Sequence, residues 1–351
     1  MDLALTAVCG DKDRHQWFLP HRPPSLARPL GRPGLTIVQI NDSGGHVATA
    51  AHLLQFDSVH GRWDQDCHGH GKTLVVGSHS LGYSQESEPV DVPWTQAGVE
   101  MVLECSGKFK TPSALQPYFG QVGLKRVMLA CPVKGEIAGA EALNLVFGLN
   151  HQLFDPSRHR LVTAASCTTN CLASLVRVVH EALGIRYGSI TTLHDVTNTQ
   201  VLVDSFNSDL RRCRSASQSL IPTTTGSAKA IGLIFPELQG KLNGHAVRVP
   251  LLNASLTDAV FELECSVDVA EVNGAFERAS LGELSGILGY ETRPLVSVDF
   301  INDSRSAIVD ALSTLEVNGT QLKVYAWYDN EWGCRCRLAD LVWHVVALEQ
   351  P

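Results

Sequence analysis

The chain has 351 residues, and its 28 Lys and Arg against 36 Asp and Glu give a formal net charge of −8. This acidic balance disfavours non-specific attraction to nucleic acid or to an anionic membrane surface. Although 44% of the residues are hydrophobic, no unbroken apolar run approaches the length of a bilayer span. A transmembrane helix is therefore excluded, and a soluble chain of one large or two ordinary domains is expected.

The ten cysteines are scattered along the chain rather than concentrated in a short disulfide-rich segment. Such scattering is typical of reduced thiols in a cytosol, so we expect a cytoplasmic protein. The segments Cys67–His70 and Cys334–Cys336 lack further ligands at metal-binding spacing, and no metal site is expected.

The first thirty residues do not fit an ordinary globular start. Five prolines lie between Asp11 and Pro33, and proline fixes its own backbone and disfavours helix in the residue before it. The stretch Leu3–Val8 is too short for the apolar region of a secretory signal. The simplest interpretation is a disordered tail over residues 1–30.

Short apolar strands alternate with helical stretches over the next hundred residues. The predicted elements are a strand at Leu35–Ile40 ending in Asn41 and Asp42, a helix at Ala48–Phe56, a strand at Met101–Cys105 ending at Ser106, and a strand at Arg126–Ala130. This alternation predicts βαβ units and a mostly parallel sheet of the Rossmann type. Ligands bind such sheets at the carboxyl ends of strands, so Asp42, Ser106 and Ala130 are candidates for one crevice.

Beyond residue 166 the strands are longer and alternate with polar residues. They are predicted at Ser189–His194, Ala246–Pro250, Ala259–Cys265 and Lys323–Tyr328. This pattern indicates a second, α+β domain with an antiparallel sheet. We expect a dinucleotide-binding domain at 1–166, completed by a C-terminal helix at 334–351, and a catalytic domain at 167–333.

The segment around Cys167 predicts a helix that begins at a cysteine. Ser166 is a suitable N-cap, and Leu172, Leu175, Val176 and Val179 recur at helical spacing. The helix N-terminus favours a thiolate by roughly 0.3–1 kcal/mol, too little to make an ordinary thiol reactive. His194, at the end of a predicted strand, is the candidate base. A structural role for either residue alone, and a metal pair or disulfide with Cys171, remain alternatives.

Three further features are suited to binding anions. The loop Pro222–Ser227 is rich in hydroxyl groups and contains a glycine, so it offers O–H and N–H donors. Arg248 lies among apolar neighbours in a predicted strand, where a guanidinium needs an anion or carboxylate. Thr197 and Thr199 follow His194 closely. Together these residues predict a thiolate nucleophile, a histidine base and one or two oxyanion pockets.

Five blocks then carry a family resemblance. They are Ala165–Ala173 around Cys167, His194 at 27 residues after that cysteine, Pro222–Ala230, Lys241–Gly244 leading to Arg248, and Trp327–Gly333. With these blocks in this order, the chain resembles the phosphorylating glyceraldehyde-3-phosphate dehydrogenases from about Leu35 to the C-terminus.

The resemblance implies NAD-dependent oxidation of glyceraldehyde 3-phosphate through a thioester in a homotetramer. Cys167 would be the nucleophile and His194 the base. The residues implied for binding are Ser166, Thr168, Thr225 and Gly226 for the attacking inorganic anion, Thr197 and Arg248 for the substrate phosphate, and Asn330, Asp42 and Ser106 for the cofactor. The charge of Asp42 favours NAD over NADP because it would repel a 2′-phosphate.

Within the family, Phe56–Trp63 and Asn198–Gln200 look closest to the branch associated with the arsenic exporter ArsJ, which implies 1-arseno-3-phosphoglycerate as product. Arsenate and phosphate share charge and tetrahedral shape, so spacing does not separate them. The alternatives are an ordinary glycolytic enzyme, or a cofactor-deficient remnant that acts as a thioester hydrolase or binding protein.

One departure from the family pattern is large. The family opens with a strand and a glycine-rich turn for the pyrophosphate, and no such motif precedes Asp42. Possible codons for His15 to Pro29, read one base later, permit Ile-Asn-Gly-Phe-X-Arg-Ile-Gly-Arg-Leu-Ala-Leu-Arg-Ala. We therefore hypothesise that residues 1–30 are an out-of-frame reading of a normal dinucleotide-binding start.

Overall fold

The structure, a computed structural model, describes residues 3–9, 34–131, 133 and 142–349. Contacts divide the chain into two compact units: unit 1 is Met1–Leu145, His151–Ala165 and Arg335–Pro351, and unit 2 is Val146–Asn150 and Ser166–Cys334. The main boundaries differ by one residue from the predicted domains. Val146–Asn150, expected in the first domain, belongs instead to unit 2.

Unit 1 is built on a nine-stranded sheet. Its strands and helices, with a separate hairpin formed by β3 and β4, are β1 (Leu3–Cys9), β2 (Leu35–Asp42), α1 (Val47–Gln55), β3 (Phe56–Asp57), β4 (Gly61–Arg62), β5 (Cys67–His70), β6 (Thr73–Val76), β7 (His79–Ser84), β8 (Met101–Glu104), α2 (Pro112–Phe119), β9 (Arg126–Leu129), β10 (Ala142–Asn144) and β11 (Leu161–Thr163). The strand order is β10-β11-β9-β8-β1-β2-β7-β6-β5.

The sheet of unit 1 is mostly parallel, as the sequence predicts. Every pair from β10 to β7 is parallel, and only β7, β6 and β5 pair antiparallel. β8 and β9 are buried at all four positions, and each has three consecutive apolar residues with one buried charged residue, Glu104 at the end of β8 and Arg126 at the start of β9. Trp94 and Tyr118 pack in the core beside these strands. The expected Rossmann-type α/β fold is confirmed.

The N-terminus differs from expectation. Leu3–Cys9 form β1, which lies between β2 and β8 and pairs in parallel with both. The physical reason is that Leu3–Val8 contains no proline or glycine, and seven residues suffice for a strand. The prediction that all of residues 1–30 are disordered is therefore wrong for Leu3–Cys9. Residues 10–33, which carry the proline cluster, lie outside the described residues.

Unit 2 contains an eight-stranded sheet and the cysteine helix. Its elements are α3 (Cys167–Leu183), β12 (Ile185–His194), β13 (Ile221–Thr224), α4 (Ser227–Ile234), β14 (Leu242–Arg248), β15 (Ser255–Leu263), α5 (Val269–Leu281), β16 (Leu288–Glu291), β17 (Ala307–Asp310), β18 (Leu315–Val317) and β19 (Gln321–Tyr328). The strand order is β13-β14-β12-β15-β19-β17-β16, and β18 pairs with β19.

The predicted antiparallel sheet of unit 2 is found with one correction. β12 pairs in parallel with β14, and β16 with β17, whereas the other pairs are antiparallel. Parallel pairing needs a long crossover, and the chain between His194 and Leu242 supplies one. Because β12 and β14 run in the same direction, their carboxyl ends, His194 and Arg248, are paired neighbours.

α6 (Trp332–Glu349) ends the described chain and has 18 residues. The helix includes Arg335, Arg337 and Asp340, and Arg337 forms an ion pair with Asp340 at 2.7 Å. In the part of the chain that the structure describes, no helix combines the length and apolarity that crossing a membrane requires.

α3 begins where the sequence predicts. The hydroxyl of Ser166 accepts the backbone N–H of Thr169 at 3.1 Å, which makes Ser166 the N-cap and Cys167 the first helical residue. The buried face of α3 includes the predicted Leu172, Leu175 and Val176.

Loss of this cap should weaken the fold measurably. We expect Ser166→Ala to lower the free energy of unfolding by about 1 kcal/mol, because the Thr169 N–H loses its acceptor at the helix start. Urea unfolding followed by circular dichroism measures the change. Ser166→Thr keeps an acceptor oxygen and is the control; equal destabilisation by both variants would contradict the capping role.

Candidate active site

Cys167 and His194 lie close together in unit 2. The Sγ atom of Cys167, in the first turn of α3, is 3.7 Å from Nε2 of His194 at the end of β12. The cysteine is half-buried and the histidine buried. A thiol at a helix N-terminus beside a basic nitrogen is the arrangement that produces a reactive thiolate.

Arg248 lies beside the same imidazole. Its Nη1 is 2.7 Å from Nδ1 of His194 and donates a hydrogen bond to the carbonyl oxygen of Asp195 at 2.9 Å. This position follows from the parallel register of β12 and β14, which ends both strands together. The hydrogen bond is to the backbone of Asp195, and the Asp195 carboxylate acts on the guanidinium through its charge.

Asp195 is a site residue that the sequence analysis did not identify. Its side chain is 0% exposed, and Oδ1 is 2.5 Å from Nδ1 of His194. The contact is an ion pair whose geometry falls outside that of an ordinary hydrogen bond. The other oxygen, Oδ2, accepts a hydrogen bond from Nδ2 of Asn330 at 2.8 Å. The sequence signal that could have identified Asp195 is its position as a carboxylate directly after a histidine at the end of a strand.

The charges of these groups favour a protonated imidazole. Burial lowers the pKa of His194, but the carboxylate of Asp195 and the hydrogen bond to Cys167 raise it by more, to about 9. Burial also lowers the pKa of Arg248, and the Asp195 carboxylate opposes that effect. At neutral pH an imidazolium would therefore face Cys167 and stabilise its thiolate.

Next to the cysteine lies the hydroxyl of Thr168, which is paired with the hydroxyl of Tyr328. The Thr168 hydroxyl lies 4.0 Å from Sγ of Cys167 and 2.9 Å from the Tyr328 hydroxyl. The Tyr328 ring meets the His194 ring edge to face, with centroids 6.2 Å apart. Burial raises the pKa of Tyr328 well above its usual range, so this phenol stays neutral.

Ser166 and the Thr225–Ser227 segment form a cluster of hydroxyl and N–H donors. Ser227 Oγ is 3.4 Å from Ser166 Oγ and accepts from Thr225 Oγ1 at 3.2 Å. Gly226 precedes α4, so two helix N-termini meet here. Such a convergence of donors suits a tetrahedral anion.

Arg212 adds a second cation that the sequence analysis missed. Its Nη2 donates to the Thr223 hydroxyl at 2.7 Å, and its charge lowers the pKa of the neighbouring Arg248. Arg212 lies in a long connection without a recognisable motif, so only the fold places it near the anion-binding loop.

Two predicted binding residues have partners that the sequence does not show. Thr197 bonds within its own loop, to Thr199 at 3.0 Å and to Gln200 at 2.9 Å. Asn330, predicted to orient the nicotinamide, binds Asp195 through Nδ2 and accepts from Ser255 Oγ at 3.0 Å. Its amide thus holds Asp195.

In unit 1, Asp42 and Ser106 lie at the carboxyl edge of the parallel sheet. Asp42 ends β2 and accepts the Gly44 N–H at 2.8 Å, and a carboxylate at this edge fits ribose hydroxyls. Ser106 follows β8 and donates to Glu104 at 2.5 Å. Burial raises the pKa of Glu104 to about 7. Among the described residues, no group of His, Cys, Asp or Glu is placed to hold a metal ion.

Comparison with known proteins agrees with this architecture. Residues 26–112 match the profile of the NAD binding domain of glyceraldehyde 3-phosphate dehydrogenase, and residues 166–330 match that of its C-terminal domain. Glyceraldehyde-3-phosphate dehydrogenase 3 of Nostoc sp. is 57% identical over 88% of this chain and 90% of its own. The enzyme of Geobacillus stearothermophilus is 43% identical over 91% of this chain and 93% of its own. The chain therefore belongs to the glyceraldehyde-3-phosphate dehydrogenase family and has that family's NAD-binding and C-terminal domains.

Proposed function

We propose that the protein oxidises glyceraldehyde 3-phosphate with NAD through a thioester on Cys167, with phosphate or arsenate as acyl acceptor. The observation that carries the proposal is the 3.7 Å approach of Cys167 Sγ to His194 Nε2 at the start of a helix. The names of the relatives, all glyceraldehyde-3-phosphate dehydrogenases, support the same reaction.

In this mechanism His194 takes the thiol proton, and the Cys167 thiolate attacks the aldehyde carbon to form a thiohemiacetal. The imidazolium then donates its proton to the developing oxyanion, and His194 takes this proton back when the hydride leaves. NAD, when bound, supplies the acceptor for the hydride that leaves as the thiohemiacetal becomes a thioester. We assign Asp42, Ser106 and Asn330 to holding this cofactor.

The thioester is then cleaved by an inorganic anion. We assign Ser166, Thr168, Thr225 and Gly226 to this anion, because their hydroxyl and N–H groups cluster at two helix starts beside Cys167. Thr197 and Arg248 are assigned to the phosphate of the substrate. Separate pockets for the two anions keep the attacking oxygen near the thioester carbon.

For the acceptor we propose arsenate, with 1-arseno-3-phosphoglycerate as product. The support is the resemblance of Phe56–Trp63 and Asn198–Gln200 to the branch associated with the arsenic exporter ArsJ. The relatives' names equally favour an ordinary glycolytic enzyme that uses phosphate. Both anions fit donors that recognise charge and tetrahedral shape.

Initial rates distinguish the two acceptors. We expect kcat/KM for arsenate to equal or exceed kcat/KM for phosphate when NADH formation is followed by absorbance with glyceraldehyde 3-phosphate in excess. A preference of more than tenfold for phosphate would indicate the glycolytic alternative. Omission of both anions is the control for acceptor-independent turnover, which a thioester hydrolase would show.

The N-terminal sequence bears on cofactor affinity. We propose that residues 1–30 are an out-of-frame reading and that the chain as printed binds NAD weakly, since the glycine-rich turn that approaches the pyrophosphate is absent from the sequence. Sequencing of the coding DNA tests the reading frame. Calorimetric titration of NAD into protein of verified intact mass tests the affinity. Tight binding would refute the affinity prediction and the cofactor-deficient alternative together.

We further propose a homotetramer. Leu202, Val203 and Leu210, in the loop between β12 and β13, expose 78%, 74% and 81% of their surface, and apolar side chains so exposed are suited to contact with another copy. Sedimentation equilibrium measures the assembly, and a monomer at micromolar concentration would contradict the proposal.

The described cysteines support a cytoplasmic location, which we also propose. All nine whose side chains are described are free thiols. Scattered reduced thiols are typical of proteins that remain in a reducing cytosol.

A further inference from the structure

We propose that Asp195 is a positioning residue that completes a Cys167–His194–Asp195 triad and thereby sets the pH range over which Cys167 is a thiolate. The inference rests on the proposed nucleophilic role of Cys167. It goes further in giving the histidine a buried carboxylate partner that acts through the ring rather than on the substrate.

Asp195 is held in place by a closed cycle of hydrogen bonds. Its backbone N–H donates to Ser255 Oγ at 3.3 Å, Ser255 Oγ donates to Asn330 Oδ1 at 3.0 Å, and Asn330 Nδ2 donates to Asp195 Oδ2 at 2.8 Å. Asp195, Ser255 and Asn330 are all buried. The cycle fixes one carboxylate oxygen and leaves the other, Oδ1, 2.5 Å from His194 Nδ1.

This geometry assigns the two ring nitrogens different tasks. The Nδ1 atom has the backbone carbonyl oxygen of Asp195 at 3.1 Å as hydrogen-bond acceptor and Oδ1 of Asp195 at 2.5 Å as counter-ion. Nδ1 therefore keeps its proton, and Nε2 is left to receive the proton of Cys167. In that transfer the S–H bond breaks and an N–H bond forms, which yields a thiolate, an imidazolium and an unchanged carboxylate. Burial raises the pKa of Asp195, and the charge of His194 and the hydrogen bond from Asn330 oppose that effect. The Asp195 carboxylate thereby offsets the charge that the ring acquires.

The neighbouring charges make a counter-ion necessary. The titratable or charged groups that face His194 or Asp195 are Cys167, Arg248, Tyr328 and Glu331. Arg248 Nη1 lies 2.7 Å from His194 Nδ1, and its charge opposes protonation of the ring. Asp195 is the buried anion that balances both cations. Without its charge, Arg248 would lower the pKa of His194, and the imidazolium that stabilises the Cys167 thiolate would be lost at lower pH.

The test is the pH dependence of Cys167 alkylation by iodoacetamide, read by peptide mass spectrometry in wild type and Asp195→Asn. We expect the rate at pH 7 to fall at least about tenfold and the midpoint of the profile to rise by roughly one unit or more in the variant. The two rates should converge at alkaline pH, where alkylation no longer depends on the imidazolium. That recovery distinguishes lost positioning from a misfolded site.

Asp258→Asn is the matched control, because Asp258 forms an ion pair with Lys323 at 2.8 Å on the neighbouring strands and its profile should match wild type. If Asp195→Asn fails to fold, Asn330→Ala, which loosens Asp195 without removing its charge, should shift the midpoint in the same direction by less. A profile unchanged in every folded variant would overturn the triad. Alkylation needs neither NAD nor aldehyde, so an inactive wild type with shifted variant profiles would refute the proposed function alone.

Discussion

Cys167→Ser is expected to lower kcat/KM for NADH formation by at least roughly 10⁴-fold, as loss of a covalent nucleophile does in other enzymes. The physical reason is that His194 stabilises a thiolate 3.7 Å away, whereas a serine hydroxyl in the same place stays protonated at neutral pH. Absorbance of NADH with glyceraldehyde 3-phosphate and either acceptor anion measures the loss.

Cys171→Ser is the matched control for this substitution. Cys171 lies one turn along α3, is buried, and donates to Thr257 Oγ1 at 3.6 Å. Burial raises the pKa of Cys171 to about 12, so this thiol is unreactive and its replacement should leave the rate within a few-fold of wild type. Substantial turnover by Cys167→Ser would overturn the thioester mechanism. An equal loss in a folded Cys171→Ser would move the nucleophile to the second cysteine.

Much of the fold follows from local sequence patterns. β2, β8, β9, β12 and α3 each correspond to an apolar run or to helical spacing that identifies the element and its approximate ends. β1 was missed because its pairing with β2 and β8 depends on strands far along the chain, and the prolines after it dominate the sequence pattern. The parallel pairing of β12 with β14 likewise depends on the path of a long connection, which local periodicity does not record.

The site likewise contains some residues that local sequence patterns predict and some contacts that only the fold creates. Cys167 and His194 were predictable because a helix start and a strand end are local signals. The cycle that anchors Asp195 joins residues 60 and 135 positions apart, so no window of sequence contains it. Asn330 was identified for the cofactor, but its bond to Asp195 was not predictable. Arg212 contacts Thr223 because the connection between β12 and β13 folds back against β13, which contains Thr223.

Arg248→Met should lower kcat/KM for glyceraldehyde 3-phosphate by about 10²-fold while affecting unphosphorylated glyceraldehyde far less. Each hydrogen bond from a charged donor contributes about 1.5–3 kcal/mol, and every 1.36 kcal/mol corresponds to a tenfold change in rate. The methionine keeps an unbranched apolar chain like the aliphatic part of the half-buried arginine, without its charge. Initial rates with the two aldehydes, each at concentrations well below KM, give the ratio directly.

The comparison of the two aldehydes separates two roles of the same guanidinium. If Arg248 binds the substrate phosphate, the loss is confined to the phosphorylated aldehyde. If it acts instead through its 2.7 Å contact with His194 Nδ1, both aldehydes lose rate equally and the assignment to the phosphate is wrong. Arg293→Met, which removes an exposed arginine paired with Glu291, controls for a general effect of charge and should change neither rate.

The same substitution should also change the pH dependence of the rate. Removing the Arg248 charge leaves Asp195 with His194 as its nearest cation, so the pKa of His194 should rise. The alkaline limb of the pH profile for glyceraldehyde should therefore move to higher pH.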